Sequence, residues 1–285
     1  MTQIIIALVA LLTFITLAAM LLQLKNTTQR ISHKIGFALT GIVAFICDGI
    51  GIGSFAIEIA LCKTFKLLPD QQLPGLVNGA QVLPGAIEAI AFLTAVNVDP
   101  LTLMTLVSGT CIGGVIGGLL VSNLNSQRIE LGMGLAFIFM AAAVLCNQMH
   151  WLPLGGQATA LRHSSLWIGF FGTIFCGAMT ALGVGLFALI EILLFFLGLS
   201  PLIAFPIMTT AGALQQPLTT LAFVYKKKVP IATALWVSGF GIIGSLISIP
   251  LVTHLSLSVL RWLLFSVVLY NAITMLHSYY KQKKK

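Results

Sequence analysis

Ile4–Leu22 runs for 19 residues without one charged side chain. As a helix rising about 1.5 Å per residue it covers roughly 28 Å, close to the ~30 Å hydrocarbon core of a bilayer. No basic flank precedes it and no small-residue cleavage pattern follows, so it reads as a retained helix rather than a signal peptide. Similar runs recur to the C-terminus. Only 8% of the 285 residues are charged, against 58% hydrophobic. A soluble domain carries about 25% charged residues, so this chain lacks the polar surface to face water all round. The fold class expected is an all-α integral membrane protein.

The formal net charge of +8 could indicate nucleic acid, but the basic residues sit in short connections and in the tail Lys281–Lys285. That is the pattern of cytoplasmic loops beside membrane helices, and no nucleic-acid partner is expected. Cys47, Cys62, Cys111, Cys146 and Cys176 lie in apolar spans without C-x-x-C spacing, and the five histidines show no ligand spacing. No metal site is signalled.

The chain repeats itself. GIGSFAIEIAL (Gly51–Leu61) aligns with GVGLFALIEILL (Gly183–Leu194) with one inserted residue, which places Glu58 on Glu191. GAQVLP (Gly79–Pro84) matches GALQQP (Gly212–Pro217) 133 residues on, and Pro100–Gly109 matches Pro230–Gly239 at a separation of 130. Gly36 pairs with Gly169. Collinear matches over such a length mark a duplication. Residues 1–35 then form an N-terminal transmembrane helix and basic loop, 36–150 the first repeat, and 151–285 the second with its basic tail. Each repeat holds a glycine-interrupted segment (Gly36–Leu68, Leu166–Leu199) and three ordinary spans.

Leu166–Leu199 as one helix would be about 50 Å long, too long for a bilayer core. Gly183 and Gly185, like Gly49, Gly51 and Gly53, are natural breaks, since glycine accepts the dihedrals that end a helix. If both segments cross, 11 of the 15 basic residues fall on one side; if both are re-entrant hairpins, 13 do, leaving Arg162 and Arg261 opposite. The positive-inside bias favours hairpins. An odd number of crossings per repeat then inverts one copy relative to the other, the plan of many secondary transporters. The N-terminus is expected outside and the C-terminus in the cytoplasm.

Asp48, Glu58, Glu88 and Glu191 lie within apolar spans, where an ionisable group costs several kcal/mol and is functional by default. No lysine or arginine stands well inside a span beside them, so they are candidates for carrying a proton. Glu58 and Glu191 match between the repeats, which favours a shared role. The return helices begin near Ser54 and Leu186, and their N-termini offer unpaired N–H groups and the positive end of the helix dipole. Two such ends meeting at the midplane, formed by Gly51, Gly53 and Ser54 with Gly183 and Gly185, make an anion site without a basic side chain. Ser54 is placed to cap the first. Asn78 and Gln81 before Pro84, and Thr209, Thr210, Gln215 and Gln216 before Pro217, could bind anion oxygens or hold helices together. Gly113-Gly114 and Gly117-Gly118 read as close helix packing rather than a phosphate loop.

GIGSFA (Gly51–Ala56) and GVGLFA (Gly183–Ala188) resemble the repeated glycine-rich signature of the TauE/SafE sulfite-exporter-like permeases, and the likeness extends from about Gly36 to Leu276. The resemblance implies movement of sulfite, sulfoacetate or related small organosulfur anions across the bacterial inner membrane, with no prosthetic cofactor and no enzymatic activity. The chain departs from the family's pattern at Ile57-Glu58 and Leu189-Ile190-Glu191, where relatives often carry a proline. A carboxylate there repels an anion when ionised, and one protonated during each cycle reconciles the two. Against a proton-linked anion transporter stand a cation or amine carrier using the intramembrane glutamates and a lipid-phosphate phosphatase. The phosphatase needs an arginine at membrane depth, which the sequence lacks.

Overall fold

The computed structural model describes residues 2–27, 29–93, 96–149, 151, 155–251 and 257–284, with side chains for all of these except 251 and 257–261. Met1, His150, the Arg261 side chain and Lys285, each used above as a boundary or a charge, lie outside the described residues.

The described residues form twelve α-helices and no β-strand. They are α1 (Thr2–Lys25), α2 (Lys34–Gly49), α3 (Ser54–Thr64), α4 (Leu73–Ala80), α5 (Val82–Leu93), α6 (Pro100–Val121), α7 (Ser126–Gln148), α8 (His163–Thr180), α9 (Leu186–Phe196), α10 (Pro201–Tyr225), α11 (Ile231–Ser248) and α12 (Leu257–Lys283). Six helices are long and apolar enough to cross a membrane: α1, Asp70–Leu93, α6, α7, α11 and the Trp262–Lys283 part of α12. The chain is an all-α, multi-pass membrane protein. At 25 residues α10 also has the length, but Thr209, Thr210, Gln215, Gln216 and two internal prolines lower its hydropathy. It compensates by position, being buried almost throughout from Ile203 to Phe223.

The first ordinary span of the first repeat is two helices, α4 and α5, meeting at Gln81. Pro84 has no N–H to give the Ala80 carbonyl, so the helical ladder is interrupted there. Its counterpart Pro217 leaves α10 continuous.

The glycine-interrupted segments are hairpins. Leu67, just past α3, packs on Gly36 near the start of α2, 3.1 Å from where a Cβ would stand. Leu197, just past α9, packs in the same way on Gly169 of α8, at 3.3 Å. Each return helix has 11 residues and covers only about 16 Å.

The two hairpins enter from opposite ends. Near the first, Lys63 bonds Asp70 at 2.5 Å and Ser278 at 2.7 Å, and Gln282 donates to Glu130 at 2.6 Å. At the same end Gln29 accepts from the Ala232 N–H and Trp236 donates to the Lys34 carbonyl. The connections carrying Lys34, Lys63, Arg128 and Lys228 and the end of α12 thus share one basic end. The second hairpin starts at the other end, where Arg162 pairs with Asp99 at 2.9 Å, a full α6 length of about 33 Å away.

Helix pairing follows the duplication. α6 packs on α8 as its counterpart α11 packs on α2; α7 meets its own counterpart α12, and α5 meets α10. The glycine pairs in α6 divide between two neighbours: Gly113 and Gly117 face α8, while Gly114 and Gly118 face Gln215, Thr219 and Ala222 of α10. A β-carbon at any of the four would crowd its neighbour, the small-residue packing of membrane helices. The apolar side chains left uncovered on α1, including Ile4, Leu11 and Phe14, face the side a bilayer would cover.

Candidate functional site

The turns that end α2 and α8 are built alike. Gly51 (φ +94°) and Gly183 (φ +95°) take the left-handed conformation. In the first, the N–H of Gly51 bonds the Asp48 carbonyl and that of Ile52 the Cys47 carbonyl, both at 2.9 Å. This double bond pattern closes the helix end and favours glycine. The chain then reverses into α3 and α9, whose starts face each other across a narrow cavity. Gly53, Ser54, Phe55 and Ala56 line it from one hairpin; Gly185, Leu186, Phe187 and Ala188 line it from the other. Asp48, Gln81, Gln216, Met140 and Leu264 complete the wall.

The two sides differ in charge. At the first, Asp48 caps the return helix: its Oδ1 accepts the Ser54 N–H at 2.7 Å, and its Oδ2 accepts from Gln81 Nε2 at 2.6 Å. Ser54 Oγ donates to Gln81 Oε1 at 2.6 Å and closes the ring. Ser54 therefore does not cap α3, as its sequence position implied. It is the first helical residue, Gly53 is the N-cap, and a carboxylate one turn back supplies the acceptor. At the second side no such bond to the start of α9 is formed among the described residues: Thr180 stands where the repeat has Asp48 and bonds the Cys176 carbonyl instead. The start of α9 keeps its N–H groups and positive dipole end turned toward the cavity.

Of the sequence-derived binding candidates, Gly53, Ser54, Gln81, Gly185 and Gln216 line the cavity. Gly51 and Gly183 shape the turns behind it. Asn78 lies elsewhere, its Nδ2 donating to the Pro74 and Thr180 carbonyls and tying α4 to α8. Thr209 and Thr210 bond carbonyls one turn back in α10, and Gln215 donates to Thr219 on the face against α6.

Among the coupling candidates only Asp48 reaches the cavity wall. Glu88 is buried behind it, hydrogen-bonded to Asp48 and accepting from Ser245 Oγ at 2.7 Å. Glu58 is fully buried, and neither of its carboxyl oxygens has a hydrogen-bond partner. Glu191 is half-buried beside Asn147, Val144 and Leu264 in a second, smaller cavity. The matched glutamates thus occupy unlike surroundings.

Sequence reasoning passed over Phe55 and Phe187 as site residues. Both occupy the same place in the repeated glycine motif, which was the available signal. Gln216 faces the cavity 4% exposed, with an unpartnered Oε1.

A family model described as "Sulfite exporter TauE/SafE" matches residues 37–275. No curated protein and no solved structure matches the chain.

Proposed function

The chain belongs to the sulfite exporter TauE/SafE family of membrane transporters, and from that premise we propose that it moves sulfite, sulfoacetate or a related small organosulfur anion across the bacterial inner membrane, linked to protons. The observation that carries this reading is the uncapped N-terminus of α9, opening into a cavity shared by both hairpin turns. Backbone N–H groups at a helix start hold sulfonate-type oxygens without a basic side chain. Phe55 and Phe187 form apolar walls suited to a short carbon chain, and Gln81 and Gln216 add donors.

The cavity lies between hairpin tips that each reach about half the bundle, so rocking of one packed helix group against the other opens it to alternate sides. Under the positive-inside bias the basic end faces the cytoplasm, with Thr2 outside and the end of α12 inside. Residues 36–150 and 151–285 are the two duplicated units, and each helix group draws on both, since α6 packs on α8 and α11 on α2.

Uptake into proteoliposomes across a panel of sulfur anions, with and without a pH gradient, tests the reading. Accumulation of at least one such anion driven by the gradient is expected. A cation or amine carrier retains one supporting observation, the Asp48 carboxylate in the cavity wall. Thermal stabilisation by organic cations and not by sulfite or sulfoacetate would decide for it.

A further inference from the structure

The first hairpin poses a problem for an anion site. The two helix starts descend from one duplicated motif, yet the α3 start already holds an anion, the carboxylate of Asp48. Asp48 is bonded from three sides: the Ser54 N–H, the Gln81 amide and the Glu88 carboxyl. Two carboxyl groups that hydrogen-bond each other hold one proton between them, so the pair carries a single negative charge in this arrangement.

A transported anion placed about 5 Å from that charge would be repelled. At an effective dielectric constant near 20 the repulsion weakens binding by roughly 100-fold or more. Uptake of a second proton removes the charge. It also turns the charge-assisted bonds from the Ser54 N–H and the Gln81 amide into weaker bonds to a neutral carboxyl, so the incoming anion outcompetes it for both donors. One proton and one singly charged anion then enter together, and the net charge at the site stays the same.

We propose that Asp48 is a tethered stand-in for the transported anion, vacating the α3 start when the Asp48–Glu88 pair takes up its second proton. The proposal rests on the anion-transport reading above. It assigns coupling to the asymmetric pair in the first repeat rather than to the matched Glu58 and Glu191. Among the described residues the other titratable groups facing Asp48 are few. Cys47 adjoins it on α2 and Glu58 acts on it from α3. Against Glu88 and Gly49, α11 presents only the hydroxyls of Ser245 and Ser248, and α4 and α5 meet at Gln81. With no cation in this set, the proton is what neutralises the pair.

The test is calorimetric binding to the full chain in detergent between pH 5 and 9. The probes are sulfite, sulfoacetate and methanesulfonate, the last singly charged throughout that range. Repeating the titration in buffers of different ionisation enthalpy counts the protons. The wild-type protein should take up about one proton per methanesulfonate, with affinity falling about tenfold per pH unit on the alkaline side. Asp48→Asn should bind without proton uptake and with affinity flat in pH, and Glu88→Gln should move the fall to a different pH. Wild-type binding without proton uptake overturns the proposal while leaving the anion site standing, and that measurement needs no variant. The same holds if Asp48→Asn keeps the wild-type pH profile or if Glu58→Gln alone abolishes it. No binding of any of the three anions at any pH would bring down the transport reading itself, and the proposal with it.

Discussion

Replacing Gly185 by valine fills the cavity without disturbing the turn that forms it. The backbone there (φ −55°, ψ 132°) is open to any residue, and an added Cβ meets nothing closer than the Phe55 Cβ at 4.0 Å. Loss of glycine at a helix N-cap costs about 1 kcal/mol. The valine methyl groups would cover the N–H groups of Leu186 and Phe187. Two hydrogen bonds to a charged ligand, at about 1.5 kcal/mol each, amount to about 3 kcal/mol, or roughly 100-fold in Kd. Gly53 is the contrast. Its φ of +91° with ψ 132° favours glycine strongly, so even Gly53→Ala introduces about 1–3 kcal/mol of backbone strain. Thermal unfolding without ligand, and calorimetric binding of sulfite and sulfoacetate, should therefore separate the two. Gly185→Val is expected to keep the wild-type Tm within a few degrees and to lose about two orders of magnitude in affinity, whereas Gly53→Ala loses Tm first. Wild-type affinity in Gly185→Val would refute the placement of the ligand. Equal loss of Tm in both variants would refute the reasoning about the turns.

Single cysteines at positions 66, 128 and 278 should all react with an impermeant thiol reagent from the same side of the membrane, and one at 162 from the other; labelling of 66 and 162 from one side breaks the hairpin topology. Glu58→Met should raise thermal stability by about 1–3 kcal/mol, because it removes a buried carboxyl whose oxygens have no partner, and a fall in Tm would mean that Glu58 is held by something else. Asp99, at the end opposite the basic loops, is held down to about 2 by hydrogen bonds from Arg162 and then Thr102. A depressed carboxylate stabilises above its ordinary value near 3.8 and loses that contribution as pH falls toward about 2. Asp99→Asn should thus cost about 1 kcal/mol or less near pH 7, as expected for an exposed pair, and only a small part of that at pH 2, read as Tm against pH; an unchanged gap at pH 2 would contradict this.

Membrane residence, helical class and the duplication are legible in the chain itself, because they depend on local quantities. A run of apolar residues long enough to cross hydrocarbon declares itself wherever it folds, and glycine breaks recur at a fixed separation whatever surrounds them. The hairpins could be argued from the basic residues, since loop charge responds to the membrane more than to the fold. The site is another matter. Gln81 and Gln215 look equivalent as amides beside a proline, yet Gln81 falls on the cavity and Gln215 on the α6–α10 contact, because rotation about a helix axis is settled by what packs on each face. Glu58 and Glu191 align only across a one-residue insertion, which turns Glu191 to another face of its helix, and they end in different surroundings. The capping of α3 by Asp48 could not be read from Ser54's position, because it needs the α2 turn to bring a carboxylate back over the next helix start. Duplication wrote two like motifs into the sequence that differ at Asp48 and Thr180. Only the folded turn, which lays position 48 over the start of α3, made that difference close one helix start and leave the other open.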